Sequence, residues 1–325
     1  MPAALIPWCC GGASDVSIRL AIVGLGKIAR DQHIPSIART PGIELTSIAS
    51  RNASLAGLPH YPTLDALLEA APSIDAVALC TPPQGRHAQT EAALQAGLHV
   101  LLEKPPGATV SEIAPLMDLA ARRGRTLFAT WHSRFAPAVE PVRTLLATGG
   151  IRSVNVEWKE DVRKWHPNQQ WIWEPGGLGV FDPGINALSI VTRILPRPIF
   201  LTAADLSFPA NRAAPIAASL TFSDPLGVPV RAEFDWRQTG PQTWDIHVET
   251  EAGKLTLTNG GSRYLLDGRV LGDEKEAEYD GIYRQFVHLV ETGASDVDLS
   301  PLVHVADAFM LGRRRVVDSF EDHAA

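Results

Sequence analysis

Several short stretches of this chain carry side chains whose types and spacing suit chemistry. Glu103-Lys104-Pro105-Pro106 closes an apolar run. The proline after Lys104 biases that residue to extended backbone, which aims its ammonium away from the run. Lys104 reads either as a donor gripping a reacting hydroxyl or as half of a surface pair with Glu103. Gly24-Leu25-Gly26-Lys27-Ile28-Ala29 lies between an apolar run and a helical one. In that context G-x-G-x-x-A is a dinucleotide fingerprint. The first glycine makes the tight turn, and the second lets backbone N–H groups approach a pyrophosphate. The small last residue lets helix and strand pack closely, and the helix start adds positive partial charge. A glycine turn of purely structural use is the alternative. Lys27 and Ile28 then stand beside the phosphates.

Two further stretches belong with these. A second apolar run ends in Ser50-Arg51-Asn52, where an NAD site would place an acid on the ribose 2′-hydroxyl. A hydroxyl and a guanidinium suit a 2′-phosphate instead. NADP is therefore favoured, with NAD allowed; a solvated Arg51, or one stacked on adenine, is the alternative. Thr81-Pro82 end a third run and line the same crevice, and His87 either bonds the cofactor or caps its own helix. Residues 158–173 hold four of the eight tryptophans, Trp158, Trp165, Trp171 and Trp173, among Glu160, Asp161, Arg163, His166 and Gln170. Buried tryptophan is usually core, but this stretch is too polar for that. Aromatic faces beside hydroxyl-binding side chains suit a sugar. Glu160 and His166 are the candidate ligands, with Trp165 and Trp173 the leading rings. Trp131 and His132 follow another strand end; Trp131 is placed with the cofactor and His132 with the sugar.

These residues need a frame to hold them. Near-continuous apolar strands at 18–23, 43–49, 74–80, 100–102 and 126–130 alternate with helices at 27–39 (bent at Pro35), 63–71, 87–96 and 109–123. That is a doubly wound parallel α/β sheet covered on both faces. After Gly149-Gly150 the rhythm changes to alternating strands at 153–158, 199–206, 214–222, 228–236, 244–249 and 254–258. These predict a mainly antiparallel sheet with one wet face. Helices at 183–195, 279–291 and 300–320 make the second unit α+β. The expected division is an N-terminal extension 1–16, a dinucleotide-binding domain 17–149 and a substrate domain 150–325.

Composition narrows the function classes. Of 325 residues, 29 are Lys or Arg and 36 Asp or Glu, a formal net charge of -7. That argues against a nucleic-acid or anionic-membrane surface. The three cysteines cannot make a disulfide framework, and no Cys/His set has zinc spacing. No apolar stretch reaches the ~18 residues of a membrane span. A cytoplasmic, reduced and metal-free setting is expected.

The chain resembles the Gfo/Idh/MocA family of sugar and inositol oxidoreductases over residues 17–322. The resemblance is carried by Gly24–Ala29, Thr81-Pro82-Pro83 with His87, Glu103-Lys104-Pro105, His132-Ser133-Arg134-Phe135, and Gly176-Gly177-Leu178-Gly179 leading to Asp182. It implies a Rossmann domain, a C-terminal sheet that carries substrate and often pairs two subunits, and hydride transfer to a nicotinamide cofactor. A homodimer is expected on that ground. Glu103 and Lys104 then border the cofactor as well. Where the family commonly has Asp-x-x-x-His, this chain has Asp182-Pro183-Gly184-Ile185-Asn186. Residues four apart share a helix face, and Asn cannot be the base. Asp182 is the preferred base, Lys104 the next, and Asn186 an orienting group; Asp182 before Pro183 also reads as a plain N-cap. Stretches 129–134, 158–161, 165–167 and 170–186 resemble the L-arabinose and D-galactose 1-dehydrogenase branch, where Asn is expected at that position. Other members acting on inositol or glucose, and a cofactor-sensing protein without turnover, are the alternatives.

Overall fold

A computed structural model describes residues 17–167, 169–275 and 277–322. The extension expected for residues 1–16 lies outside the described residues. Strands β1 (Ile18–Val23), β2 (Ile43–Ala49), β3 (His60–Tyr61), β4 (Ala76–Leu79), β5 (His99–Leu102) and β6 (Leu127–Ala129) form one sheet in the order β3-β2-β1-β4-β5-β6. All its pairings are parallel. The order reverses between β1 and β4, and the crevice beyond their carboxyl ends is where such sheets bind ligands. The central strands are buried on both faces, as the unbroken Ala76-Val77-Ala78-Leu79 requires. Helices α1 (Ile34–Arg39), α2 (Leu64–Ala70), α3 (Arg86–Gln95) and α4 (Ala114–Arg123) connect the strands. α4 starts five residues later than expected because Pro115, lacking an N–H, sits in its first turn. The helix after the fingerprint is irregular at a π-turn, Ala29–His33, ahead of Pro35 rather than at it.

The second sheet has nine strands: β7 (Ile151–Lys159), β8 (Phe200–Pro209), β9 (Ala217–Ser223), β10 (Pro229–Asp235), β11 (Thr243–Thr250), β12 (Gly253–Thr258), β13 (Arg263–Leu266), β14 (Arg269–Asp273) and β15 (Arg313–Val317). Their order is β14-β13-β12-β11-β7-β10-β9-β8-β15. Only β7–β10 and β8–β15 run parallel. Along β7 the side chains of Val154, Val156 and Trp158 point to the core and those between them to water. Helices α5 (Val139–Leu146), α6 (Val162–Trp165), α7 (Phe181–Ile194), α8 (Glu278–Thr292) and α9 (Ser300–Leu311) complete the chain. α7 is apolar nearly all round and buried accordingly. A Cβ at Gly184 would stand 2.6 Å from the Phe234 ring, so only glycine lets α7 press this closely on β10. The helix expected over 300–320 ends at Leu311, and Arg313–Val317 adds an edge strand beside β8 instead.

The hydrophobic cores move the expected boundary at 149/150. Val139, Val142 and Leu146 of α5 pack into the second core, so that unit begins before Gly149. Tyr279, Ile282, Tyr283 and Phe286 of α8 return to the core under β1 and β2. The first sheet is thus completed by a helix from the far end of the chain. Among the described residues no helix is long and apolar enough to cross a membrane.

Candidate active site

The fingerprint turn leaves β1 with Gly24 at φ +93°, and a Cβ there would meet Thr81 and its backbone at 3.0 Å. A Cβ at Gly26 would meet nothing within 4 Å, which leaves that face of the turn open to a pyrophosphate. Ser50 Oγ accepts from the Leu25 N–H at 3.4 Å, bringing the end of β2 to the same turn. Arg51 and Pro82 are exposed there, Ile28 is 38% exposed, and Lys27 pairs with Asp31. Thr81 Oγ1 donates to Gln89 Oε1 at 2.6 Å. These residues fit a dinucleotide. The cap reading of His87 is not realised: α3 has Gly85 at its N-cap and no side-chain capping bond.

Strand β5 delivers Glu103 and Lys104 to the crevice, and α7 brings Asp182 from the second unit. Lys104 Nζ lies 3.2 Å from Asp182 Oδ1 and donates to the Asp182 carbonyl at 2.9 Å. The other carboxylate oxygen, Oδ2, is 3.4 Å from His166 Nε2, and that nitrogen is 4.0 Å from Glu160 Oε1. Lys104, Asp182, His166 and Glu160 therefore form one line of charged and polar groups. Neither bland alternative holds here. Lys104 pairs with Asp182, not Glu103, and the N-cap of α7 is Val180, with Asp182 inside the first turn. Asn186 is partly buried one turn further along the Asp182 face, and its amide makes no hydrogen bond among the described residues.

Electrostatics separates these groups. Burial pushes the His166 imidazole below its ordinary value, against the opposing pull of Asp182. Glu160 is buried and pushed up to about 7; the indole N–H bonds from Trp236 and Trp244 restrain the rise and Asp182 adds to it. Those bonds measure 3.1 Å from Trp236 to Oε1 and 2.9 Å from Trp244 to Oε2. Glu160 is thus poised to change charge near neutral pH.

The other tryptophans divide. Trp165 lies at the rim, 36% exposed, with its ring 5.2 Å from Trp244. Trp173 does not face a cleft. It is 3% exposed, donates to Asp322 at 2.8 Å and packs edge-on against Trp236. Trp131 is likewise core, its indole donating to the Asp298 carbonyl at 2.8 Å. Glu103 is not free for a cofactor either. Its Oε1 accepts from His33 Nε2 at 2.9 Å and from Tyr279 at 2.8 Å, and its Oε2 from the Lys104 N–H at 2.9 Å. His132 pairs with Glu278. Burial pulls its imidazole down, but Glu278 carries it above the ordinary value.

Sequence reasoning missed His33, Arg86, Trp236, Trp244, Tyr279 and Tyr283. Only Trp236 and Trp244 left a signal: two tryptophans at the ends of alternating strands, the second in register with Trp158. Buried Arg86 donates to the carbonyls of Thr81, Glu103 and Pro105, stitching two strand ends together. It sits beside His87, which drew attention instead.

Comparison with known proteins bears on the family and the fold. The sequence profile of the Gfo/Idh/MocA group, an oxidoreductase family with an NAD-binding Rossmann fold, matches residues 18–130. A galactose 1-dehydrogenase from Pseudomonas fluorescens is 47% identical over 94% of this chain and 99% of its own. The crystal structure of a D-galactose-1-dehydrogenase from Rhizobium etli superposes with a TM-score of 0.91 at 59% identity, covering 95% of this chain and 99% of that one. A 3-ketoreductase from Actinomadura kijaniata, crystallised with NADP, shares the fold at a TM-score of 0.80 and 21% identity, covering 93% and 99%.

Proposed function

The chain belongs to the Gfo/Idh/MocA oxidoreductases, and from that premise we propose that it is an aldose 1-dehydrogenase that oxidises D-galactose and L-arabinose to their lactones with NADP preferred over NAD. The observation that carries the reading is the convergence of Lys104 and His166 on the two oxygens of Asp182 where the two units meet. The nicotinamide cofactor, when held along Gly24, Gly26 and Ser50-Arg51, supplies the hydride acceptor. The chain's own residues handle the proton and the hydroxyls. Asp182 takes the proton of the C1 hydroxyl. Lys104 donates to the same oxygen and stabilises the charge that develops on it. Asn186 orients that hydroxyl from the next turn of α7. His166 and Glu160 bond hydroxyls further along the ring, and Trp165 packs on its C–H face.

L-arabinose and D-galactose share hydroxyl stereochemistry from C2 to C4 and differ by the CH2OH on C5. A pocket built on those hydroxyls takes both. Arg51, exposed at the β2 end, suits a 2′-phosphate, and no acid competes there. The wet face of the nine-stranded sheet is our expected homodimer surface, which light scattering after gel filtration tests.

The deciding experiment is reduced-cofactor formation with NADP and NAD, each against D-galactose, L-arabinose, D-glucose and myo-inositol. Turnover confined to galactose and arabinose, faster with NADP, is expected. Arg51→Ala should raise the KM for NADP about tenfold and leave that for NAD unchanged, the loss of one charged hydrogen bond being worth roughly 1.5 kcal/mol. Turnover with inositol or glucose alone overturns the substrate reading, and an equal effect of Arg51→Ala on both cofactors overturns the 2′-phosphate reading.

A further inference from the structure

The backbone of the candidate catalytic lysine is gripped from two remote parts of the chain. His33 lies in the π-turn of the fingerprint helix and is fully buried. Its Nε2 meets Glu103 Oε1 at 2.9 Å and its Nδ1 meets the Tyr283 hydroxyl at 2.7 Å. Tyr279, one turn earlier on α8, donates to the same Glu103 oxygen at 2.8 Å. The remaining oxygen of Glu103 takes the backbone N–H of Lys104 at 2.9 Å. A π-turn inserts one extra residue per turn and re-aims the side chains on it, and such turns cluster at functional sites. Here it turns His33 inward, onto the strand end that carries Lys104.

We propose that His33 and Tyr279 are positioning residues for Lys104: by clamping Glu103 from the fingerprint helix and from α8, they fix the Lys104 backbone and so the reach of its ammonium to Asp182. Tyr283 meets the other nitrogen of the imidazole and makes no hydrogen bond to Glu103 among the described residues. The proposal rests on Lys104 acting in the oxidation described above. It extends that reading by linking the helix that grips the cofactor to the lysine that grips the substrate, through one carboxylate.

Paired substitutions on one helix test it. Tyr279→Phe and Tyr283→Phe remove the same hydroxyl from two fully buried rings one turn apart. Tyr279→Phe should lower kcat about tenfold, equivalent to roughly 1.4 kcal/mol, with the sugar KM unchanged. Tyr283→Phe should leave kcat within about threefold. At position 33, Gln places its amide near the Nε2 position and Asn near Nδ1. His33→Gln should therefore retain more kcat than His33→Asn. Acylation of Lys104 by an amine-reactive ester, followed by peptide mass mapping on the cofactor-free enzyme, reads the same clamp without turnover. It should quicken severalfold in Tyr279→Phe and clearly less in Tyr283→Phe, which acts on Glu103 only through His33. Equal kinetic and labelling effects of the two tyrosine variants would reduce the cluster to packing and overturn the proposal. Full turnover by Lys104→Met would instead overturn the role of the lysine, while the labelling still reports whether the clamp exists.

Discussion

Glu103 and Glu160 border the same site at nearly equal burial, 5% and 4% exposed, and end on opposite sides of neutrality. Burial raises the pKa of both by disfavouring the charged form. At Glu103 the His33 imidazole answers that cost with a hydrogen bond and a charge, helped by Tyr279, and the carboxyl is driven down to about 2. His33 is held well above its ordinary value: burial pulls the imidazole down, but the facing Cys80 and Tyr283 groups and the hydrogen bond to Glu103 raise it. At Glu160 the partners are two neutral indoles, and the carboxyl is pushed up to about 7. Glu103 has three donors and Glu160 two, so number alone separates them little. Charge separates them: a unit charge at hydrogen-bond range is worth on the order of 4 kcal/mol at an effective dielectric of about 20, against about 1 kcal/mol net for a neutral bond. One glutamate is thereby held charged and the other is left to change charge near neutral pH.

The largest effect should come from the lysine between them. Lys104→Met should lower kcat/KM by about 10³-fold, the scale of one lost acid–base group, in initial rates of cofactor reduction. More than a tenth of wild-type activity would remove Lys104 from the chemistry and leave Glu103 nothing catalytic to hold. Next is Glu103→Gln, which strands the His33 imidazolium in the core. A loss of about 3–5 kcal/mol is expected at pH 6 in denaturant titrations. The sign follows from the shifts. Glu103 is depressed, so its contribution is complete above its ordinary 4.5 and is lost as pH falls towards about 2. His33 is raised, so its contribution is complete below its ordinary 6.5 and is lost as pH rises through its folded value. The gap between wild type and variant should therefore be widest between pH 4.5 and 6.5 and close towards pH 2. A gap that stays constant down to pH 2 would break the assignment of Glu103 as a fixed charge.

Glu160→Gln should behave in the opposite sense. Because the folded value is raised, wild type is progressively penalised from pH 4.5 up to about 7, as the carboxyl must ionise in a buried place. The variant, which has no charge to bury, should gain stability relative to wild type over that window. Its sugar KM should rise about tenfold, as one charged hydrogen bond to a hydroxyl is worth roughly 1.5 kcal/mol. A stability difference that does not change between pH 5 and 8 would make Glu160 an ordinary buried acid.

The two regions also differed in how much of them could be read from the chain. The glycine fingerprint, the parallel strands and the change of rhythm near residue 150 are local patterns, because each rests on residues a few positions apart. Lys104 and Asp182 were marked by their motifs, and Glu160 and His166 by the company of tryptophans. What surrounds each glutamate was not legible. His33 is 70 positions from Glu103 and Tyr279 is 176. Trp236 and Trp244 are 76 and 84 positions from Glu160. No periodicity links such partners; only the closing of two sheets and the return of α8 to the first core bring them together. The misplacement of Trp173 has the same origin, since the Asp322 that holds its indole lies 149 positions on.

The smallest predicted effect is the finest probe of the contrast. Trp244→Phe keeps an aromatic ring beside Trp158 and Trp165 but deletes one neutral donor to Glu160 Oε2. An indole N–H favours the charged carboxylate, so its loss should move the Glu160 titration upward, by about half a unit if the bond is worth roughly 0.7 kcal/mol. The pH dependence of the sugar KM reads this directly, and Trp236→Phe, acting on Oε1, should shift it the same way. Glu103 takes its hydrogen bonds from His33, Tyr279 and the Lys104 N–H and none from either indole, so the stability profile assigned to it should stay where it was. A downward shift, or one that appears in the acid limb belonging to Glu103, would mean that the two carboxylates titrate as one coupled system rather than as a fixed charge and a mobile one.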